Sequence, residues 1–225
     1  MTYQFKKASI YLVIAVSLLS IESCRKKYVA TAEDMSEYGW VLYKSKDYIN
    51  SNSWFNDAVI KDIDWQDAYN GLGWSYSQLA GATAQHVLLD SGINNFMTAL
   101  TKPKDEWNIA DVQAEVLAGL TFAYHAKGNN SKVLQFGSVF LDSTAKPLTP
   151  GWIFSHDSLL NYLDVRIIMA SSYFAKGKFD STIIQVKVII DSTKYSKPAV
   201  TDTTLLGRKK MAEQLKELQE YLRTK

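Results

Sequence analysis

The chain has 225 residues, enough for one ordinary domain or one short array of repeats, and 47% of them are apolar, so it can bury a sizeable core. Lysine and arginine number 25 against 23 acids, and a net charge of +2 offers no basic face for nucleic acid. We therefore expect no nucleic-acid partner. With 4 prolines, 11 glycines and few alternating runs of apolar and polar residues, the composition favours an all-α fold.

The amino terminus has the features of a targeting segment. Lys6 and Lys7 precede an apolar run of 14 residues, from Ala8 to Ile21. That length is within the range of a signal peptide and short of the roughly 18 residues that span a bilayer. We therefore expect the chain to be exported. Its one cysteine, Cys24, follows this run, so no internal disulfide can form and stability must come from packing.

The residues around Cys24 carry a further signal. Ile21-Glu22-Ser23-Cys24 resembles the lipobox of bacterial lipoproteins, which has an aliphatic residue three positions before the cysteine and a small residue directly before it. Glu22 departs from the pattern, because the family prefers a small residue there. The resemblance implies cleavage before Cys24, lipidation of its sulfur and stable attachment to a membrane through several acyl chains.

On this interpretation residues 1–23 are the signal peptide and residues 24–31 are a lipidated tether. Arg25 is not the aspartate that resembles an inner-membrane retention signal in some bacteria, so an outer-membrane location is favoured over an inner-membrane one. An ordinary signal peptide that is cut nearby and an uncleaved anchor helix are the two alternatives.

A period of 34 residues runs through the segment that follows. Gly39-Trp40 recurs as Gly73-Trp74, and the surrounding residues resemble the tetratricopeptide repeat, in which two helices, A and B, make up each unit. Leu72-Gly73 and Tyr76 match the Leu-Gly-x-x-Tyr core of its helix A. The resemblance implies a right-handed α-solenoid of helix pairs, in which each pair is stabilised by its neighbours.

Four units and a terminal helix can be assigned in the repeat domain, residues 32–225. Proline and glycine predict a loop from Thr144 to Ser155 and another from Lys194 to Thr204. Ser181 to Ile190 is rich in β-branched residues, yet the repeat pattern predicts a helix there. The last segment is amphipathic, which suits a capping helix or, alternatively, a coiled-coil dimer helix. The units cover about 32–65, 66–106, 110–146 and 158–194, and the terminal helix covers 204–224, with Met211, Leu215, Leu218 and Leu222 on its apolar face.

The sequence contains no catalytic pattern that we would assign. The three histidines, His86, His125 and His156, are far apart and have no metal-ligand spacing. Ser155-His156-Asp157 places the three residue types of a hydrolase triad side by side, but a triad is assembled in space, not along the chain. We interpret it as a loop into the next helix, with Asp157 or Ser158 as cap. We expect no cofactor, no metal and no enzymatic activity.

The repeat resemblance directs attention to the concave surface, which helix A of each unit lines. Aromatic side chains with polar neighbours on that surface suit a peptide or a sugar ring, although aromatic residues at helical spacing also suit a core. The predicted partner-binding groove consists of Trp40, Tyr43, Asn70, Trp74, Phe122, His125 and Phe174.

An acid occupies the second position of every unit. These acids are Glu33, Asp67, Glu115 and Asp164. A carboxylate in the first turn of a helix is stabilised by the helix dipole, by roughly 0.3 to 1 kcal/mol, and we favour this explanation over an acidic rim that attracts a basic partner.

Together these patterns predict a membrane-anchored, non-catalytic scaffold or adaptor of the bacterial cell envelope. Its partner would be another envelope protein or a peptide segment. The alternative is a glycan-binding envelope lipoprotein that uses Trp40 and Trp74 as stacking platforms.

Overall fold

The computed structural model describes residues 29–83, 86–104, 112–144 and 151–224. The expected signal peptide, Cys24 and most of the tether lie outside the described residues, so these assignments stay predictions. Within the described ranges, no helix is both long enough and apolar enough to cross a bilayer.

The described part of the chain is predominantly helical, which confirms the all-α class, and one consecutive pair of helices lies in each of the four predicted units. The β-branched segment 181–190 is helical, as the repeat pattern predicted. The elements are α1 (Ala32–Lys44), α2 (Tyr48–Lys61), α3 (Gln66–Thr83), α4 (His86–Ala99), α5 (Val112–Ala126), α6 (Asn130–Thr144), β1 (Ile153–Phe154), β2 (Asp157–Asn161), α7 (Tyr162–Ala175), α8 (Phe179–Asp191) and α9 (Leu205–Arg223).

The helices pack in sequence order. Each helix from α1 to α7 contacts the next helix in the chain, and α9 packs on α7. The odd-numbered helices α1, α3, α5 and α7 also contact one another in series. They therefore form one continuous row, which positions the side chains described below.

Three inter-helix turns share one backbone geometry. The second residue after α1, α5 and α7 has a positive φ, and these residues are Lys46, Gly128 and Gly177. In each turn the amide of that residue and the amide of the next one donate to carbonyls of the preceding helix. This pair of hydrogen bonds ends the helix, and the positive φ that it requires favours glycine. Lys46 adopts the same left-handed conformation without being a glycine.

Close packing between helices depends on small residues opposite large rings. A methyl group added at Gly73 or Gly119 would overlap the ring of Phe96, and one added at Gly71 would overlap the ring of Phe55. Both phenylalanines are fully buried. At Gly73 the ring of Phe96, from α4, therefore lies directly on the backbone of α3.

The segment before α7 corrects one prediction. Part of the expected loop Thr144–Ser155, together with the next six residues, forms an antiparallel hairpin in which Ile153 pairs with Asn161 and Phe154 with Asp157. The cap of α7 is Asn161, not Asp157 or Ser158, and it forms a capping box with Asp164. Asp157 instead accepts a hydrogen bond from the Leu159 amide at 3.0 Å.

The last helix closes the array. The predicted apolar face of α9 is buried and α9 packs on α7, so the face that a coiled-coil dimer would need is already used within the chain. Gln214 also holds the preceding loop, since its amide donates to the Pro198 carbonyl at 2.7 Å and accepts from the Val200 amide at 2.9 Å.

Two glycines of α3 allow the packing to be tested, because alanine should change the free energy of unfolding in opposite directions at the two positions. Gly73→Ala should lower the free energy of unfolding by about 1 to 3 kcal/mol, because the added methyl group overlaps Phe96. Gly81→Ala should raise it by roughly 0.5 to 1 kcal/mol, because nothing lies within 4 Å and alanine is the better helix former. Urea denaturation measures both, and equal effects of the two substitutions would contradict the packing described for Gly73.

Candidate functional site

The hairpin packs its side chains onto the row of odd-numbered helices. The ring of Phe154, which is 1% exposed, stacks on Trp74 with centroids 4.3 Å apart. The imidazole of His156 stacks on Trp40 with centroids 3.5 Å apart and planes within 3° of parallel. We call the surface that carries Trp40, Tyr43, Trp74 and Phe122 the inner face.

The predicted groove residues come together only in part. Trp40, Tyr43, Asn70 and Trp74 are buried, and the three aromatic residues among them lie around Phe154 of the hairpin. In this structure they form a covered surface and not an open one. The remaining three, Phe122, His125 and Phe174, are partly buried. Phe122 lies 6.1 Å from Trp74 between centroids, whereas Phe174 packs on Phe179 of α8.

A polar cluster lies beneath the hairpin. The Asp67 carboxylate accepts from the Trp40 indole N–H at 2.8 Å. The Asn70 amide donates to Asp67 at 3.3 Å and to Glu115 at 2.7 Å, so it bridges the first turns of α3 and α5. Glu115 also accepts from the Ser155 hydroxyl and, at 3.3 Å, from the Ser155 amide. The hairpin is thus bonded to the helices as well as packed on them.

Burial sets the protonation states in this cluster. The Glu115 side chain is 2% exposed, and this burial, reinforced by the negative charge of Asp67, raises the pKa of Glu115 to about 7. Burial lowers the pKa of His156 to about 3, and the charge of Lys44 acts in the same direction. Near neutral pH the imidazole is therefore neutral.

The four repeated acids lie in the first turns of α1, α3, α5 and α7, where the helix-dipole explanation places them. They do not form one open rim. Glu33 is exposed and Asp164 belongs to the capping box of α7, whereas Asp67 and Glu115 are buried.

Three of the clustered residues can offer metal ligands. One ligand atom each from Asp67, Glu115 and His156 lies within 4.8 Å of the others. This group was not predicted from the sequence, because His156 lies beside two acids and not beside another histidine. The one related signal in the sequence was the acid at the second position of every unit. That signal did not show that the hairpin would cover Asp67 and Glu115.

The adjacent Ser155-His156-Asp157 does not form a triad. Ser155 donates to Glu115, and both ring nitrogens of His156 lack a hydrogen-bond partner among the described residues. Asp157 is exposed. No serine nucleophile is therefore paired with its base here.

A cleft of about 290 Å³ opens beside the hairpin. Its walls come from the inner face and from β2, and the Gln78 amide donates to the Tyr43 hydroxyl at 3.1 Å inside it. The lining residues include Trp74, Phe122, Gln78, Asp157 and Leu160. A scan against models of protein families and a search of curated proteins both return no match, so the geometry alone must suggest a function.

The raised pKa of Glu115 predicts a pH-dependent stability. Because the pKa rises on folding, this carboxyl stabilises the folded state fully below about pH 4.5, and the contribution is lost as the pH rises through about 7. Glu115→Gln stays neutral at every pH. Relative to wild type, its free energy of unfolding should therefore increase by on the order of 2 to 3 kcal/mol between about pH 4 and about pH 8.

Urea denaturation in the presence of EDTA measures this difference. Glu33→Gln is the matched control, because Glu33 occupies the same first-turn position in α1 but is exposed. If the stability of the two variants changed with pH by the same amount, this would contradict the raised pKa that burial and the charge of Asp67 give to Glu115.

Proposed function

We propose that the chain is a lipid-anchored, non-catalytic scaffold of the bacterial cell envelope, and that it binds an extended segment of a partner protein in the cleft between β2 and the inner face. One observation carries the proposal. The inner face already holds an extended segment, the chain's own hairpin, through ring stacking and side-chain hydrogen bonds. The cleft continues the same surface where the hairpin ends.

The chemistry of the cleft favours a peptide. Phe122 and Leu160, which are partly exposed, line the cleft and can accept one apolar side chain. Asp157 adds a carboxylate at the exposed end, which favours a basic neighbour on the partner segment.

The strand beside the cleft supports the same occupant. β2 pairs with β1 alone among the described residues, and its residues Asp157 and Leu160 line the cleft. An extended partner can therefore add main-chain hydrogen bonds along β2 while it places a side chain in the cleft. This is a recurrent mode of peptide recognition.

A glycan is less well supported. Sugar binding would use the faces of Trp40 and Trp74, which are 4% exposed and are stacked against His156 and Phe154. The envelope location, with the outer membrane favoured, depends on the lipobox-like residues that end at Cys24. The right-handed tetratricopeptide superhelix is part of the same proposal.

A photo-crosslinking amino acid in place of Leu160, which lines the cleft, should trap one envelope protein in intact cells. Mass spectrometry identifies the adduct, and Gln78→Ala should weaken it by altering the cleft wall. The matched control carries the crosslinker at Ile60, an 83% exposed residue of α2. No protein adduct from position 160, or the same adducts from both positions, would refute the proposed cleft, and retention on polysaccharide instead would favour the glycan binder.

Lipid attachment has its own test. Cells fed a fatty-acid analogue should label the wild-type chain and should not label the Cys24→Ala variant, because the cysteine sulfur is the expected acylation site. In-gel detection after detergent extraction measures the label. A chain that remains unlabelled, or a variant that is labelled equally, would show that the lipobox resemblance is misleading.

A further inference from the structure

The cluster of Asp67, Glu115 and His156 gathers ligand atoms from three separate elements. Asp67 lies in the first turn of α3, Glu115 in the first turn of α5, and His156 at the tip of the hairpin between β1 and β2. Their ligand atoms lie within 4.8 Å of one another. Asp67 is 8% exposed and Glu115 2%, so this group differs from the solvated acid clusters of a protein surface.

Two buried side chains at this cluster have unsatisfied polar atoms. Both nitrogens of the His156 ring are buried and have no hydrogen-bond partner among the described residues. Asn70 is 0% exposed, its side-chain amide points at both carboxylates, and its Oδ1 also has no partner in the described part of the chain. Buried polar groups nearly always have a hydrogen-bond partner, so the unpaired atoms of His156 and Asn70 need an explanation.

Charge gives the same indication independently. The carboxyl groups of Asp67 and Glu115 share one buried site, where the Asn70 amide donates to both of them. A cation bound by both carboxylates would compensate their negative charge. The His156 Nε2 lies 3.8 Å from a Glu115 carboxylate oxygen, and a neutral imidazole is a common metal ligand.

We propose that Asp67, Glu115 and His156 bind a divalent transition-metal ion of the Zn²⁺ class. One imidazole nitrogen with two carboxylate oxygens is a donor set that zinc accepts, whereas calcium and magnesium prefer oxygen alone. Zinc–ligand bonds of about 2.0 to 2.2 Å require the ligand atoms of the three side chains to lie closer together than they do in this structure. The Asn70 amide can turn its Oδ1 toward the ion as a further donor.

The surroundings fit this role. Asp67 is oriented by the Trp40 indole, Glu115 by Ser155, and the His156 ring by stacking on Trp40. Outer partners of this kind hold metal ligands in position. Since the ligands come from α3, α5 and the hairpin, the ion would fasten the hairpin onto the inner face. The site therefore goes beyond the proposed cleft and does not depend on it.

The test uses the full chain without an affinity tag, treated with EDTA and then exchanged into metal-free buffer. Calorimetric titration with Zn²⁺ should give one ion per chain, and saturation should raise the melting temperature. His156→Gln and Glu115→Gln should each weaken the affinity at least tenfold. His125→Gln is the control, because His125 lies at the other end of α5. Co²⁺ added to the wild type should give visible absorption bands that Zn²⁺ abolishes.

The proposal is overturned if the wild type binds no stoichiometric Zn²⁺ and gives no Co²⁺ bands, or if both variants bind as the wild type does. Preferential binding of Ca²⁺ or Mg²⁺ would also contradict it. Circular dichroism of each metal-free variant verifies the fold. Where one variant does not fold, the other variant and the wild-type Co²⁺ spectrum decide the outcome.

Discussion

The stacking of the hairpin on the row of odd-numbered helices is the contact on which the other features depend. His156 on Trp40 and Phe154 on Trp74 remove large aromatic surfaces from water, which is the main favourable contribution to folding. The same contacts enclose the acids beneath the hairpin. Without them Asp67 and Glu115 would be solvated, and neither the raised pKa nor the gathered ligand atoms would exist.

Most of the helical framework could be predicted from the sequence because its signals are local. The 34-residue spacing of Gly39 and Gly73 gave the register, and Gly128 and Gly177 lie at turns whose backbone favours glycine. The apolar stripe of α9 predicted its buried face. The turns and the apolar stripe are set by residues a few positions apart, and the repeat shows as a recurrence along the chain, so patterns in the sequence are enough to reveal them.

The hairpin and the polar cluster could not be predicted in the same way. β1 has two residues and β2 has five, which is too short for a clear alternation. The contact between Ser155 and Glu115 spans 40 positions, and no local pattern encodes it. The shared surface of Trp40, Tyr43 and Trp74 could be expected from their places in the repeat, but its covering by the chain's own hairpin could not.

Because the hairpin covers much of the inner face, the proposed scaffold would offer its partner a narrower site than an open groove. The cleft along β2 is an accessible part of that face among the described residues, and the proposed ion would hold the hairpin side of the cleft in place. Nuclear Overhauser effects between the Trp40 indole and the His156 imidazole, recorded in EDTA, measure the central contact most directly. We expect clear cross-peaks and His156 ring protons shifted upfield of those of His125. Absent cross-peaks, with the chemical shifts of a solvated histidine, would contradict the packing of the hairpin.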